Sequence, residues 1–199
     1  TLNNMAGLYS DTQRYSEAEQ MYEESLEICR KLAKENPQVY ESDVAMALNN
    51  MASLYYYTQR YSEAEQMYEE SLEIYRKLSK DNPQVYEPYV AAALIALANL
   101  YSDTQRYLES ERMYVESLEI RRKLSKDNPQ VYEADVAQSL HNLANLYSDT
   151  QRYSESEQMY EESLEIYRKL SKDNPQVYES DVAIALNNMA ILYADTQRY

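Results

Sequence analysis

A period of 46 residues runs through this chain and limits what it can fold into. Leu2, Leu48, Leu94, Leu140 and Leu186 recur at that spacing, and so do Tyr15, Tyr61, Tyr107, Tyr153 and Tyr199. Residues 48–93 and 140–185 differ at nine of 46 positions. Repetition at a few tens of residues marks stacked supersecondary units, each too small to bury a core alone. Copies this alike leave no room for a separate catalytic role in each.

Composition says what the unit is made of. The chain has one Gly, no Trp, no Phe and 23 Tyr. Strands joined by tight turns need Gly or Asn-Gly punctuation, which is missing. Good helix formers such as Glu, Leu, Lys, Gln, Met and Ala abound. In the first helical pattern, Leu48, Met51, Ala52 and Tyr55 fall at i, i+3, i+4 and i+7, one face of a helix. The run Glu41 to Val44 predicts its start, with Ser42 or Asp43 as cap. Pro88, in the place of that serine one copy later, predicts the same boundary, because proline suits a first turn. Thr58-Gln59-Arg60 reads as a short turn.

A second helix is predicted from near Ser62, with Ala64, Met67, Tyr68, Ser71, Leu72, Tyr75 and Leu78 on one stripe. Glu73 and Lys77 stand at i,i+4 in the favourable order. The helix ends before Asn82-Pro83, since a residue preceding proline avoids the α region. The stretch Asn-Pro-Gln-Val-Tyr-Glu-Ser reads as a loop, packed down by Val85 and Tyr86. The helices come to roughly 17 and 19 residues, about 25–28 Å long.

Charge narrows the partners. A net charge of −15 opposes nucleic acid and anionic membrane surfaces. No run of 18 apolar residues spans a bilayer, and no signal peptide opens the chain. One cysteine, Cys29, cannot form an internal disulfide and fits a reducing, cytoplasmic setting.

The residues now carry a resemblance. Leu48, Met51, Ala52, Tyr55, Tyr61, Ala64, Tyr68 and Ser71 stand where the tetratricopeptide repeat has its large, small and aromatic signature positions. The run LNNMA…LY…QRYSEAEQMYEESLEI, then NPQV and DVA, resembles the longer-repeat form of kinesin light chains and related bacterial proteins. The resemblance covers the whole chain. It implies an all-α fold, a right-handed α-solenoid of tandem helix-turn-helix units with first helices lining a concave groove and second helices outside. On this reading residues 1–199 form one solenoid: a partial repeat 1–47, repeats 48–93, 94–139 and 140–185, and a terminal helix 186–199. It is expected to be a fragment of a longer array. Two departures stand out. The period is longer than the family's, with the excess expected in the NPQVYES loop. The glycine usual at the hairpin turn is Gln59 here, so any positive φ at that position falls on a residue with a Cβ.

The resemblance also implies a non-enzymatic role, binding a protein or peptide in the groove. The groove stripe maps to Asn3, Gly7, Ser10 and Asp11; Asn49, Ser53, Tyr56 and Tyr57; Ile95, Asn99, Ser102 and Asp103; His141, Asn145, Ser148 and Asp149; and Asn187, Ile191, Ala194 and Asp195. The copies differ most there. Asn, Ser, Asp and His offer hydrogen bonds to an extended backbone, and the four aspartates favour a neutral to basic ligand. No lysine stands at Asn49, Ile95 or His141, so the carboxylate clamp of some family members is not expected. An acidic groove also argues against the acidic cargo of kinesin light chains. Tyr56 and Tyr57 replace Ser-Asp or Ala-Asp in one copy only, and large amphipathic rings are favoured at binding hot spots. End-to-end self-association of the array, natural or consensus-like, and a sensor module of a larger protein remain alternatives.

No cofactor or metal is expected, and no nucleophile–base pair, phosphate loop or metal spacing appears. His141 stands alone and reads as a drifted asparagine on the groove wall. Asn50, Asn142 and Asn188 read as structural. Met21, Met67, Met113 and Met159 read as core, Cys29 as a tolerant outer position, and Glu69-Glu70 as a solvated face.

Overall fold

The computed structural model describes residues 14–196. Among them are eight helices: α1 Tyr15–Glu35, α2 Pro37–Tyr57, α3 Tyr61–Asp81, α4 Pro83–Asp103, α5 Tyr107–Asp127, α6 Pro129–Asp149, α7 Tyr153–Asp173 and α8 Pro175–Asp195. Even-numbered helices are the first helices of the repeat and odd-numbered ones the second. The chain divides into two compact units, Thr1–Thr104 and Gln105–Tyr199. Within each unit every helix packs against the next in sequence.

Every helix is 21 residues long, more than the sequence pattern predicts. In the first helices the excess comes from the NPQVYES stretch, which beyond its asparagine is helix and not loop; the second helices gain Tyr61 and Asp81 at their ends. One residue makes the corner: Asn82, at φ −140° and ψ 75°, closes α3 by donating its N–H to Leu78 and opens α4 through its carbonyl, which accepts from Tyr86. Pro83 then takes the first helical position, where its fixed φ fits and its missing N–H costs nothing. Asn36, Asn128 and Asn174 repeat the corner. Ser42 and Asp43 are therefore inside α2, and Pro88 lies inside α4, beyond its first turn. Val85 is exposed on the helix surface.

The Thr-Gln-Arg turn is as read, and its geometry explains it. Gln59 has φ 61°, Gln105 60° and Gln151 62°, all left-handed. Around Gln59 the N–H of Arg60 reaches the Tyr55 carbonyl (2.8 Å) and the N–H of Gln59 reaches that of Tyr56 (3.0 Å). That is the Schellman pattern, which normally uses glycine at this residue. Arg60 then lies over the Tyr55 ring at 4.0 Å and grips Glu19 of α1 at 2.7 Å, and the Tyr55 hydroxyl donates to the same Glu19. Arg152, Tyr147 and Glu111 repeat the clasp in the second unit.

Close approach of helices rests on small buried residues. Ala45, Leu48, Ala52 and Ala64 are fully buried, as are Ala137, Leu140 and Ala144. Each such leucine contributes roughly 1.5–3 kcal/mol. Buried serines satisfy backbone carbonyls across the packing: Ser71 donates to Ala45, Ser163 to Ala137 and Ser156 to Ala144, each at 2.8 Å.

Four other sequence assignments shift. The four methionines are half-buried at the edge of the core. The Cys29 position is inner, not outer: its counterparts Tyr75 and Tyr167 are buried, and Arg121 is largely so. Burial pushes the Cys29 thiol above its ordinary range. Lys77 pairs with Glu41 of α2 at 2.6 Å, as Lys169 does with Glu133. Glu69 and Glu70 do not face solvent alone: Glu70 takes Arg30 at 2.7 Å and Glu69 accepts from Tyr101.

Candidate functional site

The predicted stripe runs along the first helices, and each unit is described by itself. Asn3, Gly7, Ser10 and Asp11 lie outside the described residues. In the first unit, α2 holds Asn49 and Ser53 half-buried. The Ser53 hydroxyl donates to the Asn49 carbonyl at 3.0 Å, so the Tyr68 hydroxyl, also at 3.0 Å, donates to Ser53. Tyr68 comes from α3, where its spacing marks it as core; its hydroxyl also reaches the stripe. Tyr56 is half-buried and donates to Asp103 at the end of α4. Its ring packs edge-on against Tyr57 and Tyr61, at 5.6 and 6.0 Å. Loss of solvent, and then the Asp103 carboxylate, push the Tyr56 hydroxyl up strongly, so it stays a donor. Tyr57 is 70% exposed. Ile95, Asn99 and Ser102 are half-buried along α4.

In the second unit, His141 is only 8% exposed, deeper than a residue on a groove wall. Its ring meets Tyr160 edge-on at 5.3 Å. The Asn188 side-chain amide donates to its Nε2 at 3.0 Å and to Asn145 at 3.4 Å. Nε2 is therefore the unprotonated nitrogen, and burial lowers the imidazole's pKa, with Asp181 opposing. The Tyr160 hydroxyl donates to Asn145 and is pushed up to about 12, mainly by burial and then by Asp149. Asp149 is exposed, yet desolvation lifts its carboxyl above the ordinary range. Ser148 is half-buried, while Asn187, Ile191, Ala194 and Asp195 are exposed on α8. Asn188 thus bonds the neighbouring first helix, the structural part read for it, whereas Asn142 accepts from Gln138 of its own helix.

The stripe therefore sorts into two classes. Tyr56 with Asp103, and His141 with Asn145, Asn188 and Tyr160, tie one repeat to the next. Tyr57 and Asp149 present themselves outward. On a different face, two matching cavities recur between a second helix and the following repeat. One, of about 570 Å³, is lined by Leu26, Met51 and Met67 together with acidic Glu23 and Glu27 and basic Arg30, Lys31 and Lys34. The other, of about 650 Å³, uses the equivalent Leu164, Met189, Arg168, Lys169 and Lys172. Sequence reading missed them, although the basic cluster closing each second helix was visible. Among the described residues no group of three His, Cys, Asp or Glu is placed to hold a metal ion, and no helix is long and apolar enough to cross a membrane.

The sequence profile of the tetratricopeptide repeat matches residues 1–77 and 89–169. The chain belongs to the tetratricopeptide repeat family. Solved structures agree on the fold. The apo form of RapI matches with TM-score 0.75 at 20% identity, over 100% of this chain and 64% of that one. BtubC (BKLC) from P. vanneervenii matches with TM-score 0.68 at 24% identity, over 89% of this chain and 65% of that one. A Podosopora anserina putative kinesin light chain with nearly identical TPR-like repeats matches with TM-score 0.66 at 17% identity, over 100% and 96% of the two chains. This tetratricopeptide chain thus spans just under two thirds of the length of the first two. No curated protein matches it. The kinesin-light-chain-like repeat type is the one its residues indicated, with the long period accounted for by longer helices.

Proposed function

We propose that this tetratricopeptide chain is a non-catalytic scaffold that binds a protein or peptide segment along its first helices. The observation that carries the reading is the division of the stripe: Tyr57 and Asp149, variable positions that do not hold the repeats together, are left outward. Tyr57 supplies an apolar, hydrogen-bonding ring, and Asp103 and Asp149 supply negative charge, so the preferred segment is neutral to basic. A soluble, reducing compartment suits the half-buried, unreactive Cys29 thiol.

A random peptide display library panned against the chain tests this. Selected peptides are expected to be rich in Lys and Arg and to lose at least tenfold in affinity on Tyr57→Ser, for those held by the first unit, or on Asp149→Asn, for those held by the second. Peptides that bind the wild type and both variants equally would move the site to another face, with the cavities beside Met67 and Met189 next in line.

A further inference from the structure

The outward face of α5 differs from that of every other second helix. Leu108 stands where the other copies have Ser16, Ser62 and Ser154. Arg112 stands for Gln20, Gln66 and Gln158, and Val115 for Glu23, Glu69 and Glu161. The three changes fall at i, i+4 and i+7, one stripe of one helix, and Glu119 continues it at i+11. Scattered drift would not keep to a stripe. Leu108 is 73% exposed, Arg112 and Glu119 are exposed and Val115 is half-buried. A shallow cavity of about 390 Å³ lies along the face, lined by Leu108, Glu111, Arg112, Val115, Glu116 and Glu119. Arg112 helps to depress the Glu109 carboxyl, after the Glu109 backbone and Arg106. Neither Arg112 nor Glu119 forms a salt bridge among the described residues. Seven residues separate the two, roughly 10 Å along the axis, so they cannot pair within the helix.

We propose that this face docks on the same face of a second copy of the chain, α5 against α5, antiparallel about a two-fold axis beside Val115. Self-complementary charge picks the occupant. In an isologous contact, residue i meets j and j meets i. An axis beside Val115 sets Arg112 of each copy against Glu119 of the other, giving two ion pairs that flank a centre where Val115 of each copy lies over the aliphatic part of Glu116 of the other. The same operation carries Leu108 over the aliphatic stem of Lys123 of the second copy, which long basic side chains allow. The other second helices cannot pair so: in α3 the operation sets Glu69 against Glu70 and Gln66 against Glu73, and like charges oppose contact. The patch is one stripe of one helix, smaller than a standard interface. The dimer is therefore weak and fast. It stands apart from the first-helix stripe and leaves that surface open.

Sedimentation velocity across roughly 10 μM to 1 mM reads the outcome. The wild-type mass is expected to rise toward twice the monomer. Leu108→Ser with Arg112→Gln and Val115→Glu should stay monomeric. Those residues already stand at the same places in α3 and α7, so an unchanged melt shows that the variant is folded. Arg112→Glu alone should weaken the dimer at least tenfold, and Arg112→Glu with Glu119→Arg should restore it. A wild type that remains monomeric throughout overturns the proposal, as does self-association that the triple variant leaves intact. Failure of the charge swap to restore the dimer overturns the antiparallel pairing.

Discussion

The hairpin α2–α3 of the first unit and the hairpin α6–α7 of the second are near copies, yet they solve the same packing problems with different chemistry. Nearly all their differences lie in the first helix; in the second helix only Ala64 and Ser156 differ. The constant tyrosine of the second helix shows what this means. Tyr68 donates to the Ser53 hydroxyl, whereas Tyr160 donates to the Asn145 amide oxygen and packs on His141. The Cys29 position behaves alike. Tyr75 stacks on Tyr89 of α4 at 5.2 Å, while its counterpart Arg121 fills the space in the second unit by bonding the Asp135 carbonyl and Ser139. Diversity at a repeat position therefore signals interchangeable ways of filling it as often as it signals exposure.

Four perturbations sharpen the comparison. The largest uses one substitution at one repeat position. Leu140 is fully buried and Leu186 is 43% exposed, so Leu140→Ala should cost about 2–5 kcal/mol and Leu186→Ala well under half as much. Urea denaturation of both variants checks this, and equal losses would mean that position matters more than burial. Next, Tyr160→Phe should cost about 1–1.5 kcal/mol, because its hydroxyl is satisfied in a desolvated place. Tyr68→Phe should cost about half that, since Ser53 keeps its bond to the Asn49 carbonyl. Matched thermal melts decide.

At the turns, Gln59→Gly and Gln151→Gly should each stabilise by about 0.5–1 kcal/mol, glycine's ease at positive φ outweighing its looser unfolded chain. A loss at either site would show that the glutamine side chain has a part of its own. The smallest effect separates the units by pH. His141 has a lowered pKa, so the unfolded chain binds its proton first. Stability is complete above the ordinary histidine value near 6.5 and falls as pH drops through the folded value. Protonation would also set a donor against the Asn188 amide. His141→Asn should flatten the dependence below neutral pH, measured as the difference between the two chains' melting temperatures.

Much of the fold was legible because the chain repeats its own evidence. The helix periodicity of Leu48 to Tyr55 and the Thr58-Gln59-Arg60 turn are local signals, and local signals survive folding. The corner was misread because Ser42 and Asp43 look like caps, while proline at a first helical position is the stronger mark and here sits just after an asparagine. Met67 was misplaced because spacing identifies a face without saying how far the neighbouring helix covers it. Spacing assigns Lys77 to Glu73 on its own helix, whereas folding brings it to Glu41 of α2. The bond from Tyr56 to Asp103 joins residues 47 apart, and no spacing rule predicts it. It also recasts the tyrosine pair: Tyr56 fastens two repeats, and Tyr57 is the ring left available to a partner.

The single-asparagine corner between repeats has a consequence for how such a chain can change. Every first helix is entered in a fixed rotational phase, with no slack segment in which to absorb an error. Losing or gaining one residue in a helix would turn everything after it by roughly 100° and carry the buried stripe off its neighbour. Length can then alter safely only by whole copies, which keeps the pieces interchangeable and leaves novelty to single substitutions on faces that no neighbour covers.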